Sequence, residues 1–174
     1  MGDRDLNLCE DGNEVVLEIE RMLIEEMPDI VFIHYPKDNH LEHRMAAKNA
    51  YAAVCLSAVH GTRINEIYAF EAGPNQTSDY FRPDLYINIT DSMDKVKESL
   101  MQFDQPTAKG PGLWLEKEKQ AAYRGYMAHV PYAECFKIVK YPTGSNDFLL
   151  RTLLTDKFRW AGNYMYPANG EIYF

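Results

Sequence analysis

The apolar positions of the chain are densest between residues 30 and 33, where they form a nearly uninterrupted run between Pro28 and Pro36. A short continuous apolar run of this kind is typical of a strand that is buried on both faces of a parallel sheet. We therefore predict a buried strand over 29–34 and expect the rest of the fold to be arranged around it.

The segments before and after this strand have the residue spacing of helices. Asp11 and Glu14 have the spacing of a capping box at the start of a helix, and Pro28 ends that helix. Asn39 and Glu42 have the same spacing, and they open a predicted helix from about residue 40 to 59. We expect this second helix to bury a stripe of apolar residues, namely Leu41, Met45, Ala52, Leu56 and Val59.

The remaining pattern alternates strands and helices without repeats or a recognisable linker. The further predicted elements are strands at 65–71, 85–89 and 132–140, a helix capped by Asp91, and a helix at about 114–128. Gly- and Pro-rich loops fall at 73–79 and 106–112, and residues 142–174 give no clear signal. The pattern predicts a single α/β domain over 1–174.

Composition narrows the class of protein. The 174 residues carry a net charge of −8, which argues against binding nucleic acid or an anionic membrane through bulk electrostatics. Three cysteines that are far apart in sequence indicate free thiols in a reducing compartment. The most apolar segment, 50–59, is too short to span a membrane, and no signal peptide opens the chain. We expect a cytoplasmic protein.

Titratable side chains cluster just after the predicted strand, where ligands bind in open α/β sheets. His40 and His43 are three residues apart, so both can project from one side of the first helical turn. A helix N-terminus disfavours positive charge, which favours the neutral imidazole that binds metals. The alternative is a polar helical turn in which Glu42 only completes a cap, because this spacing alone is a weak pattern.

Three further side chains belong to this candidate site. The carboxylates of Asp38 and Glu42 are candidates to orient the imidazoles, although Asp38 is equally interpretable as an ordinary loop residue. His34, at the end of the strand, is a further candidate, and its alternative is a core histidine with satisfied hydrogen bonds. His60 and His129 have no partner pattern, and we expect both on the surface.

Several motifs in order resemble the PIG-L/LmbE-like family of zinc-dependent N-acetylglucosaminyl deacetylases. The first two are Pro-Asp-Ile-Val at 28–31 and His-Leu-Glu-His at 40–43, which is similar to the His-Pro-Asp-His motif of that family. Arg-Pro-Asp-Leu-Tyr-Ile-Asn-Ile-Thr at 82–90, Phe-Asp-Gln at 103–105 and Tyr-Ala-Glu-Cys-Phe at 132–136 follow in the same order. The resemblance covers about residues 12 to 140.

The resemblance implies a Rossmann-like, mostly parallel sheet with flanking helices that holds one zinc ion and hydrolyses an acetyl amide. In that scheme His43 is a zinc ligand and His40 stabilises the tetrahedral intermediate or donates a proton. Glu42 is the carboxylate partner of His40, while Asp38 and His34 are supporting residues. The expected substrate is a small N-acetylated sugar or glycoconjugate.

The chain departs from the family pattern at its start. No Ala-His-Pro-Asp-Asp motif is present, and in the family this motif supplies two zinc ligands and the general base. The resemblance therefore predicts an N-terminally truncated fold with an incomplete zinc site. Without the strand that carries the motif, strand 29–34 becomes a sheet edge that pairs with a partner or with a second copy of the chain.

Three functions follow from these observations. The first is a zinc-dependent hydrolase that removes an acetyl group from an N-acetylglucosamine-type substrate. The second is a catalytically incomplete fragment that serves as a binding or assembly module. The third, a nucleotide-binding Rossmann module, is disfavoured because the chain has no Gly-x-Gly-x-x-Gly loop.

Overall fold

A computed structural model describes residues 12–73, 81–103, 110–140 and 147–162. The helices are α1 (Gly12–Glu26), α2 (Leu41–Val59), α3 (Met93–Met101), α4 (Gly110–Ala128) and α5 (Leu149–Leu153), and a 3-10 turn spans Thr90–Ser92. The strands are β1 (Ile30–His34), β2 (Glu66–Phe70), β3 (Leu85–Asn88), β4 (Ala133–Lys140) and β5 (Phe158–Trp160). Most of the two predicted loops lies outside the described residues.

The five strands form one mixed sheet in the order β1-β2-β4-β3-β5. β1 and β2 are parallel, whereas β3 is antiparallel to both β4 and β5. The α/β class is confirmed, but the expectation of a mostly parallel sheet is wrong. Two helices in succession, α3 and α4, connect β3 to β4. In a parallel connection, a crossover brings the chain back to the end of the sheet where the first strand began. The pair of helices α3 and α4 does not do so, and β4 runs antiparallel to β3.

The chain divides into two compact units. Unit 1 comprises Met1–Phe81 and Ile138–Leu150, and within the described residues it contains α1, β1, α2, β2 and the end of β4. Unit 2 comprises Arg82–Lys137 and Arg151–Phe174, and it contains β3, α3, α4, most of β4 and β5. All the candidate site residues belong to unit 1.

The buried face of α2 differs from the predicted stripe. Leu41 and Val59 are 52% and 78% exposed, while the residues that face the interior are Ala47, Asn49, Ala53, Val54 and Ser57. α1 packs against α2 and contributes the buried side chains of Val15 and Leu23. The interior face of α2 therefore consists mostly of small side chains and not of the large apolar residues that were predicted.

The carboxyl end of α2 is fixed in two ways. Gly61 adopts φ +90°, and the main-chain N–H groups of Gly61 and Thr62 donate to the carbonyls of Ala58 and Ser57. This is the Schellman arrangement, in which glycine is favoured because it has no Cβ. His60 adds a contact with α1, because its Nδ1 lies 2.7 Å from Oε1 of the buried Glu20.

β1 is an edge strand, as expected, because no described strand pairs with its outer side. Ile33 is buried, but Phe32 is 46% exposed, so burial on both faces is wrong. The outermost strand of a sheet has fewer neighbours to cover it, and an apolar sequence alone does not reveal this position. Phe32 stacks on Tyr68 of β2, its register partner, at 5.6 Å between ring centroids.

The amino end of β2 carries a fully buried carboxylate. Glu66 accepts hydrogen bonds from the hydroxyl of Tyr68 (2.7 Å) and from the main-chain N–H groups of Leu149 and Leu150 at the start of α5. Burial raises the pKa of Tyr68, and the hydrogen bond to Glu66 and its negative charge raise it further. Three donors compensate the desolvation of this carboxylate and attach α5 to the strand.

In unit 2, helix α4 closely approaches the main chain that follows it. Gly125 of α4 lies against the main chain of residues 130 and 131, and a Cβ at this position would come within 2.5 Å of the carbonyl oxygen of Pro131. Lys117 of α4 forms an ion pair with Glu134 of β4. These contacts attach α4 to the strand that follows it. No helix among the described residues combines the length and apolarity needed to cross a membrane.

Candidate functional site

The candidate site forms where β1 ends and α2 begins. His34 is the last residue of β1, Asp38 lies in the connecting loop, and His40 is the N-cap residue of α2. Glu42 and His43 follow in the first turn of the helix. The local sequence places them together because the apolar strand and the helical pattern are separated by only six residues, from 35 to 40.

Asp38 is the residue that organises the cluster. Its side chain is 1% exposed, and both of its oxygens have partners. Oδ1 accepts the main-chain N–H of His40 at 2.7 Å, and Oδ2 lies 3.0 Å from Nδ1 of His43. Asp38 is therefore not an ordinary loop residue. It replaces the predicted Asn39–Glu42 capping box, because the N-cap residue of α2 is His40 and it makes no side-chain cap.

The contact with Asp38 selects one tautomer of His43. A carboxylate only accepts hydrogen bonds, so Nδ1 of His43 carries the proton. Nε2 is then the acceptor nitrogen of the neutral ring, available to bind a metal or to accept a proton. Carboxylate–imidazole pairs of this kind fix the orientation of metal-binding and catalytic histidines.

Three imidazole rings lie in a row around His43. The ring of His34 is nearly parallel to that of His43, with centroids 4.3 Å apart and an angle of 9° between planes. The ring of His40 lies 4.6 Å from that of His43 on an inclined plane. Phe70 of β2 contacts His34 at 4.7 Å. Strand and helix together therefore assemble three histidines.

The hydrogen bonding of the His34 ring is incomplete within the described residues. Its Nδ1 is buried and has no hydrogen-bond partner among the described residues. Burial lowers the pKa of His34, and the neighbouring His43 and His40 lower it further, while Asp38 acts in the opposite direction. A buried polar atom without a partner is destabilising, and such atoms are concentrated at functional sites. No signal in the sequence distinguishes this case from a structural histidine.

His40 and Glu42 form the solvent-facing side of the cluster. Nδ1 of His40 lies 3.8 Å from Oε2 of Glu42, and both side chains are exposed. This distance is too long for a hydrogen bond but places the two groups in electrostatic contact. The two side chains that were expected to pair are therefore neighbours without a hydrogen bond between them.

The residues present do not by themselves fit a complete zinc site. A catalytic zinc takes three protein ligands and a water molecule. Within the four described ranges, no group of three or more histidine, cysteine, aspartate or glutamate side chains is arranged to hold a metal ion. Asp38 already uses both oxygens within the cluster. Nε2 of His43 has the surroundings of one zinc ligand, and the described residues do not complete the set.

Sequence reasoning missed one histidine contact. His60 is exposed, as predicted, but it pairs with Glu20 forty residues earlier, and no local spacing could indicate this. His129 is also exposed. Of the free cysteines in the described residues, Cys55 is exposed and Cys135 is buried, and neither belongs to the histidine cluster.

The fold is similar to two crystal structures. The conserved protein TT1542 from Thermus thermophilus matches with a TM-score of 0.66 and 24% identity over 84% of this chain and 68% of that one. GalB, the 4-carboxy-2-hydroxymuconate hydratase from Pseudomonas putida, matches with a TM-score of 0.65 and 22% identity over 78% of this chain. The match spans 62% of GalB, less than two thirds of its length.

These likenesses establish the fold. One of the two neighbours, GalB, is an enzyme. Neither name mentions deacetylation, and identities below 25% leave the reaction to be argued from the residues. No protein-family model matches the chain, and no curated protein matches it by sequence.

Proposed function

We propose that the histidines of this chain form part of an LmbE-type hydrolase site, which removes the acetyl group from a small N-acetylated sugar or glycoconjugate. The observation that carries the proposal is the contact between the buried Asp38 and His43 at the carboxyl end of β1. The contact orients one imidazole, and the edge where it lies is the ligand-binding edge of open α/β sheets.

The reaction is amide hydrolysis. Water adds to the acetyl carbonyl, the C–N bond breaks, and acetate and a free amine leave. The tetrahedral intermediate carries a negative oxygen, which hydrogen-bond donors stabilise. In this proposal an N–H of His40 donates to that oxygen, and Glu42, 3.8 Å from His40, keeps the ring oriented. Asp38 fixes the ring of His43 beside it.

Zinc is part of the proposal through a single residue. We assign Nε2 of His43 as one zinc ligand and assign no step of the reaction to the metal. The remaining ligands would come from outside the described residues. This assignment rests on the contact between Nδ1 of His43 and Asp38. Zinc-bound histidines usually donate their other ring N–H to a carboxylate or carbonyl in this way.

The test measures acetate release from N-acetylglucosamine-type substrates together with zinc content by elemental analysis. We expect wild-type protein to contain zinc and to release acetate, and His43→Ala to lose both. His60→Ala is the matched control, because it removes an imidazole that also contacts a carboxylate in unit 1. Wild-type protein that binds no zinc after reconstitution and releases no acetate would overturn the proposal.

A binding or assembly module is the second candidate. The observation in its favour is that the described residues contain no three-ligand metal group. If the chain is a binding or assembly module, we expect an N-acetylated sugar to bind without turnover and His43→Ala to leave the zinc content unchanged. Calorimetric titration with N-acetylglucosamine, run beside the acetate assay, separates the two functions.

A further inference from the structure

We propose that Phe70 of β2 is a positioning residue of the candidate site, because through the ring of His34 it holds the ring of His43 in place. The proposal rests on the function proposed above, since it assigns a role within that same site. The observation behind it is a column of four aromatic rings that runs from β2 across the end of β1 to the start of α2.

The column begins with Phe70 and ends with His40. The ring centroids of Phe70 and His34 are 4.7 Å apart, and those of His34 and His43 are 4.3 Å apart. The last step, from His43 to His40, is 4.6 Å. Phe70 and His34 are half-buried, whereas the side chains of His43 and His40 are 24% and 50% exposed. The inner end of the column therefore lies in the sheet, and its outer end reaches solvent.

β1 and β2 hold the inner end of the column. Phe70 and His34 are register partners in this parallel pair, so their side chains project from the same face of the sheet. The main-chain N–H of Tyr35 donates to the carbonyl of Phe70 at 2.9 Å, which keeps the two strands paired at this level. The His34 ring depends on its aromatic neighbours for support, because its Nδ1 makes no hydrogen bond within the described residues.

The contact with Asp38 fixes only one edge of the His43 ring. The bond between Oδ2 and Nδ1 leaves the ring able to tilt, because the outer torsion of a histidine side chain has broad minima. The flat face of His34, whose plane lies at 9° to that of His43, restrains this tilt. The edge contact and the face contact together define the direction of Nε2 of His43.

The nearly parallel planes also bear on the role of His34. The lone pair of a ring nitrogen lies in the plane of the ring, and zinc binds about 2.0–2.1 Å from that nitrogen. Two rings that are stacked face to face hold their lone pairs in parallel planes, so the lone pairs do not converge on one ion. In this proposal His34 therefore transmits the support of Phe70 to His43 and does not share a metal ion with it.

The experiment compares Phe70→Leu, which removes the ring, with Phe70→Tyr, which keeps it. The first readout is the NMR spectrum of the histidine ring protons, in which His43 is assigned by the signals that His43→Ala loses. A ring stacked on another shifts the signals of its ring protons. We expect Phe70→Leu to move the ring-proton signals of His43 towards those of free histidine, and Phe70→Tyr to leave them close to wild type.

The second readout is the kinetics of acetate release. We expect Phe70→Leu to lower kcat about 10-fold with little change in KM, the lower end of the usual cost of removing support from a metal-binding histidine. Phe32→Leu is the matched control, because Phe32 and Tyr68 form the other ring pair between β1 and β2, at 5.6 Å. The control should change neither readout.

Three results overturn the proposal. They are a folded Phe70→Leu variant with unchanged His43 signals or unchanged kcat, a folded Phe70→Tyr variant whose His43 signals move as far as those of Phe70→Leu, and equal effects of Phe32→Leu and Phe70→Leu. If Phe70→Leu does not fold, nuclear Overhauser contacts in wild-type protein decide. Contacts of the His34 ring protons with those of Phe70 and of His43 support the column, and their absence overturns it.

The two proposals fail in different ways. The NMR readout needs no substrate and no metal, so it tests the role of Phe70 even if the chain is not a deacetylase. Wild-type protein that releases no acetate counts against the proposed function alone. Unchanged His43 signals in Phe70→Leu, beside acetate release by wild-type protein, count against the role of Phe70 alone.

Discussion

Oδ2 of Asp38 lies 3.0 Å from Nδ1 of His43, and this contact joins a buried loop residue to a partly exposed helix residue. It is the closest side-chain contact within the histidine cluster. The carboxylate fixes the tautomer and the ring direction of His43, while its other oxygen holds the first turn of α2 through the N–H of His40.

Asp38→Asn tests this relationship. We expect acetate release and zinc affinity to fall about 10- to 100-fold, since that is the usual effect of removing the carboxylate partner of a metal-binding histidine. The fold should be retained, because the amide can still accept the N–H of His40. A positioning role lowers kcat more than it raises KM. The control is Glu20→Gln, which alters the imidazole–carboxylate contact between Glu20 and His60 in unit 1. An equal loss of activity in both variants would contradict the role of Asp38.

His34→Phe should separate stability from activity. Phenylalanine keeps an aromatic ring beside His43 and Phe70 and removes the buried Nδ1 that has no partner among the described residues. We expect the free energy of unfolding to rise by about 1 kcal/mol. Acetate release should fall, because the ring that stacks on His43 would no longer have nitrogen atoms. Urea titration measures the first effect, and a destabilised variant would contradict the assignment of an unsatisfied nitrogen.

Glu66→Gln should destabilise unit 1. In either orientation of the glutamine amide, its NH₂ would face one main-chain N–H donor, that of Leu149 or that of Leu150, where the carboxylate oxygen accepts a hydrogen bond. We expect a loss of about 1–3 kcal/mol, the typical cost of an unsatisfied buried polar group. Glu25→Gln is the control, because it removes an exposed ion pair with Arg21 that is worth about 0.3–0.5 kcal/mol. Similar midpoints of denaturation for the two variants would refute this account.

Gly125→Ala should destabilise unit 2. Its Cβ would lie 2.5 Å from the carbonyl oxygen of Pro131 and 2.6 Å from that of Val130, and main-chain atoms cannot rotate away. We expect a loss of about 1–3 kcal/mol from this overpacking. Gly162→Ala is the control, because no atom of the described residues lies within 4 Å of its Cβ position. Thermal unfolding of both proteins gives the comparison, and equal melting temperatures would rule out the close approach.

The sequence predicted those features that local patterns determine. The apolar run of 30–33 and the helical spacing that follows correctly predicted β1 and α2. The predicted buried face of α2 was wrong. The prediction considered mainly large apolar side chains, whereas the helix buries small ones such as Ala47, Ala53 and Ser57. α5 and β5 left no local signal, since α5 is held by Glu66 and β5 by its pairing with β3.

The sequence indicated which candidate side chains lie near one another along the chain, but not how they are arranged. His34, His40 and His43 were candidates from their order along the chain, and their stacking required the strand and helix to meet. Asp38 could not be ranked above its neighbours, because its burial depends on how the loop folds back under the helix. The mostly parallel sheet was implied by the resemblance to the LmbE-like family, whereas β3 is antiparallel to both β4 and β5.

The parallel pairing of β1 with β2 separates two kinds of chemistry along one ladder. Glu66 pairs with Ile30 at one end, and Phe70 pairs with His34 at the other, so about four residues, or roughly 13 Å, lie between the buried carboxylate and the histidines. The end that anchors α5 and the end that bears the imidazoles are thus free to change independently. Substitutions at the imidazole end need not weaken the anchor at the other end, so the two ends of this strand pair can diverge separately.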